Sequence, residues 1–91
     1  MMAMRIYKYR IPLVPGPAVM MPEGAAVLSL QMQNGEPCIW AIVDDEKRPA
    51  ARFFHWYETG HAIPMQDLVN LNFIGTVQNE PFVFHLFERI R

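Results

Sequence analysis

Three histidines (His55, His61 and His85), one cysteine (Cys38) and the triplet Thr59-Gly60-His61 are the residues of this 91-residue chain whose types suggest chemistry. Three imidazoles completed by a carboxylate such as Glu58, or by water, would make a metal site. Zinc sites, however, carry paired Cys or His ligands a few residues apart, and these histidines have no such spacing. Cys38 with a histidine and an acid would be a nucleophile, but it follows Pro37 within a strand-like run. It lacks the helix N-terminus that would lower its pKa, so an inert, half-buried thiol is expected. Gly60 and Gly75 fall outside any phosphate-loop spacing. Asp44 and Asp45 read as a solvated loop before they read as a cation site. No base, nucleophile and oxyanion donor can be assembled, so the expectation is a protein that is not an enzyme, with no catalytic residue, metal or cofactor.

Binding is better supplied. In Thr59-Gly60-His61 a turn would present a hydroxyl, a backbone amide and an imidazole together, a set that grips an anionic or polar ligand. The plain alternative is a strand-ending turn whose threonine satisfies local backbone groups. Trp40, with Ser29, Gln31 and Gln33 beside it, would stack on a planar base or anchor a protein interface. Its alternative is a place in the second core face of a sandwich. The candidate binding residues are therefore Trp40, Gln31, Ser29, Thr59, Gly60 and His61.

The elements that must position them read as strands. Apolar runs of strand length are separated by proline and glycine, and no helical spacing persists beyond about two turns. Arg5-Ile6-Tyr7-Lys8-Tyr9-Arg10-Ile11 alternates, with Tyr7, Tyr9 and Ile11 on one face, as in a half-buried strand near an edge. Pro12, Pro15 and Pro17 interrupt it, and Met20-Met21 makes a short strand. Residues 25–44 form two apolar runs about Asn34-Gly35, the dipeptide of a type I′ hairpin. This sets Gln33 opposite Glu36, Gln31 opposite Cys38, Ser29 opposite Trp40 and Val27 opposite Ile42. Leu28, Leu30, Met32, Ile39, Ala41 and Val43 then form a core face. The charged run 44–49 reads as a mobile, protease-sensitive loop. A strand is expected over 52–57, with His55 and Tyr57 on one face, then one helical turn between Pro64 and Leu71. The last strands cover 73–78 and 82–88, with His85 as a satisfied core histidine. The fold class is all-β: a single domain over 1–91, packed as a small β-sandwich or partly open barrel of six to seven short antiparallel strands.

Eight basic against nine acidic residues, a formal charge of −1, argue against nonspecific nucleic-acid binding. One cysteine and no segment resembling a signal peptide or a membrane span point to a cytoplasmic protein. The surplus of bulky aromatics in 53–57 and 82–87 predicts a homo-oligomer, most simply a dimer.

Several stretches match one pattern: RIYKYRI (5–11), MPEGA (21–25), LQMQNGEPCIWAIVD (30–44), TGHAIP (59–64), FIGTVQ (73–78) and VFHLFE (83–88). In order and spacing they resemble a family of small proteins of uncharacterised function encoded by tailed bacteriophages and prophages. The resemblance implies a phage or prophage origin and carries no catalytic residue, cofactor or ligand. With the size of the chain it suggests an accessory protein that binds a host protein or a small molecule, as in countering a host defence. A minor virion or assembly protein is the alternative.

Overall fold

A computed structural model describes residues 3–90, and among these seven strands and one helical turn form the fold. They are β1 (Arg5–Arg10), β2 (Ala18–Pro22), β3 (Ala26–Gln33), β4 (Glu36–Val43), β5 (Pro49–Glu58), α1 (Met65–Leu68), β6 (Leu71–Asn79) and β7 (Phe82–Arg89). Two antiparallel sheets result, one of order β1-β4-β3 and one of order β2-β5-β7-β6. They pack as a small β-sandwich, as the strand-length apolar runs require. No helix among the described residues is long and apolar enough to cross a membrane.

The β3–β4 hairpin turns at Asn34 and Gly35, whose φ angles of 50° and 79° are those a type I′ turn demands. Its register sets Gln33 opposite Glu36, Gln31 opposite Cys38 and Ser29 opposite Trp40. Further from the turn the expected pairing fails. A bulge between Val27 and Ser29 sets Val27 opposite Ala41, not Ile42. The extra residue, Leu28, is thrown outward and 53% exposed, while Val27 takes the core side. One inserted residue reverses which side chain faces inward. Leu28 thus leaves the expected core face, and Ile39, Ala41 and Val43 form its fully buried part.

The core lies between the sheets. Ile39, Ala41 and Val43 from β4 meet Phe54 of β5, Leu86 of β7 and Met21 of β2, with Ile11 and Ala25 closing the ends. Each fully buried Phe, Leu or Ile contributes roughly 1.5–3 kcal/mol. Trp56 packs against this cluster and donates its indole N–H to the Pro12 carbonyl at 2.9 Å, pinning the loop after β1 to β5. β6 carries a second bulge, between Phe73 and Gly75, and passes close to β3, with Gly75 against Leu30. β5 starts at Pro49 and absorbs the end of the expected loop. What remains is a turn held by Asp44, which accepts from the amides of Glu46 and Lys47, and by Asp45, which binds Arg5 and Tyr7.

Candidate functional site

Residues opposite each other in a sheet share a face. On the outer face of the three-stranded sheet one row reads Lys8, Trp40, Ser29 and the next Arg10, Cys38, Gln31. Trp40 is therefore on the central strand of an outward surface and half-buried, not in a second core layer. Beside it opens a cleft of about 370 Å³ lined by Ser29, Gln31, Met32, Gln33 and Trp40. Lys8 Nζ donates to Gln33 Oε1 at 2.6 Å, so its side chain crosses β4 diagonally over the Cys38 row. Cys38 beneath is fully buried rather than half-buried, its Sγ 3.7 Å from the Glu36 carbonyl oxygen. Arg10 flanks the row in an exposed ion pair with Glu36 at 3.0 Å.

The Thr59-Gly60-His61 turn is elsewhere. It follows β5 in the four-stranded sheet and closes with a His61 N–H bond to the Glu58 carbonyl; Gly60 has a φ of 93°. Thr59 Oγ1 lies 2.7 Å from His85 Nε2, and Thr76 Oγ1 lies 2.8 Å from His85 Nδ1. Both ring nitrogens are therefore engaged by threonine hydroxyls, groups that can donate or accept. Tyr57, His85 and Thr76 form one row across β5, β7 and β6. His85 is thus satisfied, as expected, yet it sits half-buried on the outer face of its sheet and not in the core. His61 is exposed, its Nε2 3.9 Å from a Glu58 carboxylate oxygen. The hydroxyl of Thr59 is engaged with β7, and the Thr59 and His61 amides donate to the Val83 and Glu58 carbonyls, so the turn offers a ligand the Gly60 amide and the His61 ring. The six candidate residues divide into two groups on different sheets: Trp40, Gln31 and Ser29 together, and Thr59, Gly60 and His61 apart from them. Among the described residues no three His, Cys, Asp or Glu side chains group to hold a metal ion.

Two features lie outside the six candidate residues. The ladder between β5 and β7 ends at Phe54 opposite Glu88, because Ile90 N–H bonds to Asn70 and draws the end of β7 toward β6. The strands splay there around a cleft of about 580 Å³ between Ala51, Phe53 and Ile90, floored by Arg52 and Glu88. Arg52 and Glu88 are joined through both carboxylate oxygens, and Arg52 Nη1 donates to the Ala25 carbonyl at 2.7 Å. Glu88 holds the Arg52 guanidinium above its usual pKa. The second feature is the outer face of β5-β7-β6. His55 stacks on Tyr57 (centroids 6.3 Å apart), and Phe87 meets Tyr57 and Phe73 edge-on at 5.6 and 5.3 Å. Phe53 and Phe73 remain 49% and 57% exposed. The alternation of Phe53, His55 and Tyr57 was a signal for the second feature; none existed for the first, since strand order is not written in local pattern.

No curated protein and no solved structure matches the chain. The family described as Domain of unknown function (DUF7352) matches residues 2–91, nearly the whole length, so the chain belongs to that family.

Proposed function

We propose that the protein is a non-enzymatic binding protein of phage or prophage origin, acting in the host cytoplasm on a host protein or a small ligand through the Trp40 surface. The observation that carries this reading is a large aromatic on the central strand of an outward face, with a hydroxyl, two amides and a cation in the adjoining positions. Such a plate with polar edges fixes both stacking and orientation of what it binds. The phage origin draws on the sequence resemblance. Comparing wild type and Trp40→Ala in capture from host lysate, with mass spectrometry of proteins and small molecules, tests the surface. Loss of capture by a variant with unchanged circular dichroism supports it. A folded Trp40→Ala protein that captures the same species as wild type rejects it.

A second reading, a minor virion or assembly protein, is favoured by the other sheet. Its outer face leaves Phe53 and Phe73 half exposed beside Tyr57 and Phe87, an apolar surface suited to joining copies or neighbours.

A further inference from the structure

We infer that the Trp40 surface binds the base and phosphate of a nucleotide, the indole stacking on the base and Lys8 meeting the phosphate; this rests on the reading of Trp40 as the recognition surface. Charge placement is the first argument. Arg5, Arg10, Arg48 and Arg52 each face a carboxylate. Among the described residues Lys8 pairs with none: its backbone lies opposite Trp40, and its side chain runs across the Cys38 row to anchor the ammonium on the neutral Gln33 amide. A positive charge is thus held in place without being neutralised, and the Arg10–Glu36 pair next to it adds no net charge. An anionic group arriving at Lys8 meets two further N–H donors on the same nitrogen.

Size and edge chemistry are the second argument. The cleft of about 370 Å³ falls at the lower end of the range for small-ligand sites, enough for one base and its sugar. Its walls supply the Ser29 hydroxyl and the Gln31 and Gln33 amides, groups that both donate and accept along the edge of a heterocycle. An aromatic ring on an antiparallel sheet with a cation beside it is a recurrent way to hold an unpaired base. The overall charge of −1 is compatible, because one local cation next to a ring serves a single nucleotide without attracting a duplex.

The test is a nuclear magnetic resonance titration of the full chain with AMP, GMP, CMP and UMP, the matching nucleosides, a deca-thymidylate and inorganic phosphate. The Trp40 indole N–H is the reporter, and the Trp56 indole N–H, bonded to the Pro12 carbonyl, is the internal control. The expected result is a saturable shift of Trp40 alone by at least one mononucleotide, below about 1 mM. Trp40→Ala should weaken binding at least tenfold and Trp40→Tyr less. Lys8→Met should weaken the nucleotide but leave the nucleoside unchanged. Tighter binding of the oligonucleotide would assign the base and phosphate to a single strand, and equal or weaker binding to a free nucleotide. No movement of Trp40 at about 10 mM of any base-containing probe, or an equal response to phosphate alone, overturns the inference. If that happens while Trp40→Ala still abolishes capture from lysate, only the ligand class falls; if capture is also unaffected, the whole surface reading falls with it.

Discussion

Arg52 and Glu88 hold each other across the point where β5 and β7 part, and the same guanidinium reaches the Ala25 carbonyl just before β3. One side chain thereby fastens three elements of two sheets. The two side chains keep only 23% and 14% of their exposure, so each is a costly neighbour for a partner that is lost.

Glu88→Ala should accordingly destabilise the protein by about 2 kcal/mol, below the range for fully buried pairs because some solvent reaches this one. In a domain of this size that lowers the melting temperature by roughly 10 °C. Replacing both partners, as Arg52→Met with Glu88→Leu, should leave the protein more stable than Glu88→Ala alone, since no unpaired charge remains. Thermal melts of the two variants check this, and a double variant that melts no higher than Glu88→Ala would contradict it.

The acid limb of stability should depend on Asp45. Tyr7 donates to its carboxylate at 3.0 Å and Arg5 Nε at 2.7 Å, and these bonds, Tyr7 first, hold its pKa below the ordinary 3.8. A carboxyl with a depressed folded pKa contributes its stability above pH 3.8 and loses it as pH falls through the folded value. Tyr7 mirrors this. The bond to Asp45 raises its pKa above 10.0, so its contribution is full below pH 10 and is lost as pH rises through the raised value. A carbon-13 titration of the Asp45 carboxyl should give a midpoint below 3.8 in wild type and one nearer 3.8 in Tyr7→Phe. An unchanged midpoint in the variant would remove Tyr7 as the main cause.

Gly75 marks the place where β6 runs against β3. A Cβ there would lie 3.3 Å from Leu30 Cβ and Cδ2, closer than packed side chains ordinarily sit. Gly75→Ala should cost about 1–2 kcal/mol through this overlap. Leu30→Ala alone should cost about 2 kcal/mol, because Leu30 is only partly buried. Combined, the two should cost clearly less than their sum, since the smaller residue at 30 gives the new methyl its room. Urea denaturation of all four proteins gives the coupling, and a value near zero would show that the strand separation adjusts instead.

How far the sequence reveals this molecule depends on how local the information is. The hairpin is legible near its turn, where Asn34-Gly35 fixes the register and brings Ser29, Gln31 and Trp40 together. It is illegible at Leu28, because a bulge adds a residue without changing the apolar composition of the strand. Lys8 reaches the Trp40 surface only because β1 pairs with β4, a contact distant in sequence that no periodicity announces. The bond of Thr59 to His85 likewise needs β5, β7 and β6 side by side. Thr59-Gly60-His61 and Trp40 could both be identified as residue types, but their separation onto two sheets follows from strand order.

Self-association should run through the four-stranded sheet and leave the Trp40 face free. The outer side of β5-β7-β6 carries Phe53 and Phe73 half exposed, with Phe87 and His55 in the Phe73 row, Tyr57 in the next, and edge-to-face packing already in place. Clustered rings of this kind are what a self-complementary interface buries at its centre. The Trp40 side, beside the exposed Ile6 and Leu28, carries Lys8, Arg10, Gln31 and Gln33, whose charge and amides a second copy would have to strip of water without return. Light scattering at micromolar concentration should give twice the monomer mass for wild type, and Phe53→Ser with Phe73→Ser should return the monomer. Both side chains are about half exposed, so the doubly substituted protein should keep its circular dichroism and melt within a few degrees of wild type. Trp40→Ala should remain dimeric. A monomeric wild type would remove the dimer, and a dimer that survives both serines but dissociates in Trp40→Ala would move the interface to the three-stranded sheet.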